Sequence, residues 1–232
     1  MGRGRWAALV AALLIGGACA VGPGGEDGGG DRPEQQPGPQ DSQAAVDDFK
    51  SDAEGAVAVA DDYWREKLSE LSVRFQPISE IIAYRSDGEV ECGGQGIPRN
   101  NAVYCPAGDF IAYDVDWAAV MYERIGDAFL YYLLGHEYAH GIQVRFGIQY
   151  RYTIQQELQA DCMAGAYIGD SIRGSALTLE DGDLDELRKG LIAVADDPDQ
   201  PWFAEGAHGS AEQRTSAFFA GYERSLSACD LR

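Results

Sequence analysis

The stretch Phe129-Leu130-Tyr131-Tyr132-Leu133-Leu134-Gly135-His136-Glu137-Tyr138-Ala139-His140-Gly141 decides how the rest of the chain is read. Phe129, Leu130, Leu133 and Leu134 recur at helical spacing, which predicts a buried helix. Residues i and i+4 share a helix face, so the imidazoles of His136 and His140 converge on one point. Glu137, one residue on from the first imidazole, reaches the same region without occupying a coordination position. The chain holds only three histidines, and two of them sit in this HExxH spacing. A chance match is expected in well under ~1% of chains of such composition. That rarity argues against the competing explanation, a surface helix with incidental histidines.

The spacing points to zinc, which lowers the pKa of a bound water to about 7 and leaves Glu137 to collect its proton during attack on a carbonyl. Zinc also requires a third protein ligand. The extended pattern HExxHxxGxxH is excluded, because Gln143 and Phe146 stand where its Gly and His belong. Downstream, Glu157-Leu158-Gln159-Ala160-Asp161 lies in a second expected helix. Glu157 is the candidate third ligand. Asp161, one turn later on the same face, is placed to accept a hydrogen bond from a ligand imidazole and fix its tautomer. By itself an acidic pair at this spacing is commonly a solvated helix face.

At this point the chain resembles the neutral zinc metallopeptidase family of bacteria, a gluzincin-like group. The resemblance rests on HEYAHGIQ (136–143), ELQADCMAG (157–165), VYCPAGDFIAYD (103–114) and HGSAEQR (208–214). It implies that Glu157 is the third zinc ligand and that Asp161 supports a histidine. It further implies a thermolysin-like active-site helix beneath a small antiparallel sheet, whose edge strand, here Phe110 to Tyr113, binds extended peptide. Ala139 replaces the Gly common between the metal ligands, and the connection from His140 to Glu157 is short; both departures bear on cleft shape. His208, in a Gly-rich turn, is a candidate donor to a developing oxyanion and joins Glu137 as a candidate catalytic residue. Its alternative is simple packing at a helix start, where Ser210 and Gln213 form a capping box. For Arg214 the structural reading, pairing with Asp or Glu, is preferred over binding a substrate carboxylate. Core packing is the default for Tyr138, Tyr150 and Tyr152.

Outward from this centre the chain divides into three parts. Residues 1–20 read as an export signal: Arg3 and Arg5, an apolar run from Trp6 to Ile15, then small residues to Ala20. Ala18-Cys19-Ala20 fits ordinary cleavage, whereas Gly17-Ala18-Cys19 fits a lipidated cysteine and a membrane tether. Residues 21–41, rich in Gly, Pro, Gln and Asp, are expected to be a disordered tether. Residues 42–232 are the expected metallopeptidase domain. A helix is predicted from about Ala44 to Leu71, with Val46, Phe49, Ala53, Val57, Ala60, Trp64 and Leu68 as its apolar stripe. Val73–Phe75, Ile81–Tyr84, Ala102–Cys105 and Phe110–Tyr113 are predicted strands, the last two a hairpin about Pro106-Ala107-Gly108-Asp109. Further helices are expected near Asp183 and from Ser210. The acidic run Glu180–Glu186 lacks calcium-loop spacing and reads as a helix start. Strands first and helices after give an α+β fold, a small sheet packed on a helical core.

Composition excludes several function classes. The 38 acidic residues against 18 basic ones give a net charge of −20, which disfavours nucleic acid and anionic lipid surfaces as partners. Cys92, Cys105, Cys162 and Cys229 are expected to form two disulfides in an oxidising compartment, Cys92 with Cys105 and Cys162 with Cys229. The reading is therefore an extracytoplasmic zinc peptidase, lipid-anchored at the cell surface or secreted, acting as a monomer on peptide or protein substrates. The alternative is a zinc-containing surface binding or assembly protein without turnover.

Overall fold

Helix α3 (Ala128–Phe146) carries buried residues on almost every face, as a helix apolar all round must when it forms the centre of a domain. The computed structural model describes residues 39–204 and 206–231, with side chains from residue 47 onward. The expected signal segment, Cys19, residues 21–38 of the expected tether and the side chain of Val46 lie outside the described residues. Around α3 pack α1 (Pro39–Glu70), α2 (Val115–Ile125), α4 (Thr153–Arg173), α5 (Asp183–Ala193) and α6 (Ala211–Arg224). The first turn of α1 falls inside the stretch read as tether. Its buried stripe is Phe49, Ala53, Ala56, Ala60, Tyr63, Trp64 and Leu68, and the Tyr167 hydroxyl of α4 donates to the Ala56 carbonyl at 3.0 Å. No helix among the described residues is long and apolar enough to cross a membrane.

The strands are β1 (Glu80–Tyr84), β2 (Glu91–Cys92), β3 (Gln95–Gly96), β4 (Ala102–Cys105) and β5 (Phe110–Asp114). The fold is α+β, with two corrections to the expected sheet. Its main sheet runs β1-β5-β4, with β1 parallel and β4 antiparallel to β5, so it is mixed rather than antiparallel. Strand β5 is consequently central, and the edge beside α3 is β4, not Phe110–Tyr113. The hairpin turn fixes only the β4–β5 pairing. The long connection from β1, carrying the β2–β3 hairpin, is what allows β1 to return parallel on the other side of β5. Val73–Phe75, read as a strand, is irregular backbone and finds no partner in either sheet.

Disulfides join Cys92 to Cys105 and Cys162 to Cys229. The first ties β2 to the end of β4; the second fastens the C-terminal segment to α4. Helix α6 starts at the expected place, with Ser210 and Gln213 forming a capping box.

Helices α4 and α6 meet backbone to backbone. A Cβ added at Gly221 would lie 1.8 Å from the Cys162 carbonyl oxygen, and one at Gly165 would lie 2.0 Å from that of Phe218. Backbone cannot move aside as a flexible side chain can, so Gly221→Ala must separate the helices. The expected cost is about 1–3 kcal/mol or more, read as a fall of several degrees in Tm. An unchanged Tm would show that the two helices are not in this contact.

Candidate metal centre

Facing turns of α3 and α4 build the site. His136 and His140 come from α3, and Glu157 and Asp161 from α4, so each helix contributes two residues spaced by one turn. The Nε2 atoms of His136 and His140 lie 3.1 Å apart; His136 Nε2 is 3.1 Å from Glu157 Oε2, and His140 Nε2 is 3.5 Å from Glu157 Oε1. Tetrahedral ligands on zinc, at bond lengths of about 2.0–2.1 Å, are separated by roughly 3.3 Å. The three donors therefore already stand at the spacing such an ion requires.

Outside partners determine which ring nitrogens carry protons. His136 Nδ1 lies 2.8 Å from Asp161 Oδ1, and His140 Nδ1 lies 2.8 Å from Gln143 Oε1. Both partners are acceptors, so both Nδ1 atoms carry hydrogen, and the inward Nε2 atoms are the ones left to bind a metal or, in its absence, a proton. The His136–Asp161 contact is short but bent from a linear hydrogen bond, and no other group reaches that nitrogen. Two Nε2 atoms and a carboxylate crowd one buried point, which is unfavourable unless a metal ion or a proton joins them. The fit to a divalent ion thus rests on this chain's own donors.

Asp161 is itself fully buried and held from two sides. The Arg214 guanidinium donates to Oδ2 through Nε at 2.8 Å and to Oδ1 through Nη2 at 2.9 Å, and the Tyr132 hydroxyl donates to Oδ1 at 2.9 Å. Arg214 thus takes the structural pairing. Burial raises the Asp161 carboxyl, but Arg214 and His136 outweigh it and hold it below the ordinary value. Tyr132 and Gln143 were missed as functional residues in the sequence. Gln143 lies one turn after His140, but nothing in the sequence shows that its amide is buried.

Glu137 lies beside the triad at 7% exposure, and its Oε2 accepts the Tyr104 backbone N–H of β4 at 2.7 Å. This carboxylate lines a cleft of about 550 Å³ that is also lined by His136, His140, Glu157, His208 and the run Asn100–Tyr104. Among the described residues, no α1 side chain lines it. His208 stands at the cleft, half exposed, with Nδ1 3.3 Å from Asp196 Oδ1. Tyr138 donates its hydroxyl to Asp61 and is fully buried; Tyr152 packs edge-on against Trp202. A second acidic trio, Asp127, Asp183 and Glu186, offers carboxylates alone, and two of the three belong to the start of α5. Its oxygen-only set suits hard cations rather than zinc.

The family described as "Putative neutral zinc metallopeptidase" matches residues 6–231. The chain belongs to that family. YpfJ, named an uncharacterized protein of Escherichia coli K12, is 28% identical over 193 residues, covering 72% of this chain and 65% of YpfJ. The YpfJ of Escherichia coli O6:H1 matches to the same extent. The match therefore spans just under two thirds of these relatives' length. No solved structure matches the chain. For a zinc metallopeptidase family member, the converging His136, His140 and Glu157 are the group able to hold the metal that the family name implies.

Protons compete for this group. Burial disfavours a charged His136, but the Asp161 and Glu157 carboxylates outweigh burial and push it from 6.5 up to about 10. Burial likewise opposes charge on His140, and Glu157 raises it on balance. Glu157 moves the other way: burial raises it, and hydrogen bonds with the two histidines bring it well below the ordinary carboxylate range. Because the folded value of His136 lies above its unfolded one, its contribution to metal-free stability is full below pH 6.5 and is lost as pH rises through about 10. Zinc must displace that proton. At pH 8, zinc titrated into the metal-free chain should release about one proton from His136. Calorimetry in buffers of different ionisation enthalpy reads this number, and zero release would contradict a proton held on His136 until the metal displaces it.

Proposed function

We propose that this chain is a zinc-dependent peptidase in which His136, His140 and Glu157 hold the ion and Glu137 moves the proton. The observation that carries the reading is the convergence of two inward Nε2 atoms and a carboxylate beside a second carboxylate, at the floor of an open cleft. Zinc held there supplies a Lewis acid that acidifies water and polarises the scissile carbonyl. Glu137 takes the proton released as the water oxygen bonds to the carbonyl carbon, then delivers it to the amide nitrogen as the C–N bond breaks. The Tyr104 N–H holds this carboxylate in place through Oε2, and the Cys92–Cys105 bond anchors the strand that supplies it. His208, which lines the same cleft, is the donor to the developing oxyanion in this reading.

The substrate in this reading is an extended peptide lying along β4, the sheet edge at the cleft. Catalysis resides in residues 42–232, on a thermolysin-like arrangement of active-site helix under a sheet. The chain works outside the cytoplasm, as a monomer, after export directed by residues 1–20. Two disulfides support that compartment. Cys19 is then either a lipid anchor or part of the removed signal.

Glu137→Gln preserves shape and removes the base. Cleavage of a broad peptide library should fall by about 10²–10⁴-fold, while zinc content stays near one per chain. Undiminished cleavage by that variant contradicts the assignment. A wild-type chain that binds zinc yet cleaves nothing across the library is instead a binding or assembly protein.

A further inference from the structure

Behind His140, a line of buried amides runs from the metal centre to the C-terminus. Gln143 is fully buried and Gln159 is 6% exposed. Gln143 Nε2 donates to the Gln156 carbonyl at 2.8 Å and to Gln159 Oε1 at 3.0 Å. Gln159 Nε2 in turn donates to the carbonyls of Cys229 and Asp230, at 3.0 and 3.1 Å. The direction of the line is fixed from its far end. Two carbonyls can only accept, so they hold the NH₂ of Gln159 toward themselves and turn its oxygen to Gln143. That oxygen can only accept, so the NH₂ of Gln143 faces it and the oxygen of Gln143 faces His140 Nδ1. A flip of either amide would set like groups against each other in a buried place, where an unmade hydrogen bond is costly.

We propose that Gln143 and Gln159 are positioning residues, a relay that locks His140 with its proton on Nδ1 and its Nε2 lone pair toward the metal. The two terminal carbonyls are kept in place by the Cys162–Cys229 bond, whose Cys162 sits one turn after Gln159 on α4. The C-terminal segment is thereby a working part of the metal centre, although it does not touch the ion. Asp161 does the same for His136 by charge; the relay does it for His140 with neutral groups, adding no anion to a site that already holds Glu157. The proposal rests on the ligand role of His140.

Zinc affinity of the full chain, measured by competition with a chromophoric chelator, tests it. Gln143→Met should lower affinity about 10–100-fold, and Gln159→Met, two residues removed from the ion, about tenfold. The double variant should lose no more than Gln143→Met alone, since a relay cut twice is still one relay. Gln143→Glu keeps the acceptor for Nδ1 but sets carboxylate oxygen against Gln159 Oε1 and the Gln156 carbonyl, so its affinity should lie between those of Gln143→Met and the wild type. Gln159→Glu keeps an acceptor for the Gln143 amide and should bind zinc more tightly than Gln159→Met; Gln159→Leu, which also lacks that acceptor, takes the place of the latter if it does not fold. The visible spectrum of the cobalt-substituted chain should change in Gln159→Met, although residue 159 does not touch the ion. Wild-type affinity in folded Gln159→Met or Gln159→Leu, or losses that multiply in the double variant, overturns the relay. A wild-type chain without zinc affinity overturns the ligand assignment instead.

Discussion

The structure turns on one close contact that needs positive charge, a metal ion or the proton that the ion displaces. Two imidazole Nε2 atoms and the Glu157 carboxylate meet within 3.1–3.5 Å at the floor of the cleft. A folded protein sustains such a meeting where its surroundings over-determine it. Here Asp161, clamped by Arg214 and Tyr132, orients one ring, and the Gln143–Gln159 line orients the other. Arg214 comes from α6, and α6 can lie close to α4 because Gly165 and Gly221 let the backbones touch. Helix packing and ligand orientation are therefore parts of one arrangement.

The sheet contributes at the same place. Strand β4 forms the edge beside the cleft, and its Tyr104 N–H holds Glu137 next to the ligands without making it one of them. The Cys92–Cys105 bond fixes the end of that strand, so a disulfide stands behind the base as another stands behind the relay. Among the described residues most acidic side chains are exposed, yet three of the four buried carboxylates, Glu137, Glu157 and Asp161, belong to this centre.

Much of this was legible in the sequence, for definite reasons. The i, i+4 spacing of His136 and His140 dictates convergence on any helix, and Glu157 with Asp161 repeats the geometry on the next. The apolar stripe of α1 and the Ser210–Gln213 cap are local signals, and the structure carries both. The sheet order was not legible, because strand periodicity says which face is buried but not which strands become neighbours. The parallel return of β1 to β5 depends on the long excursion between them, and it moved the cleft edge to β4. Val73–Phe75 had strand-like residues and no partner. Gln143 and Gln159 looked like ordinary polar helix residues, since their importance lies in carbonyls contributed by residues 229 and 230.

The most direct test of the central claim is X-ray absorption at the zinc edge on the zinc-loaded full chain, with metal content measured on the same sample. The account expects one zinc per chain, with two imidazole nitrogens and carboxylate oxygen at about 2.0–2.2 Å and no sulfur. A sulfur shell, or a shell of oxygen alone without imidazole scattering, would contradict it.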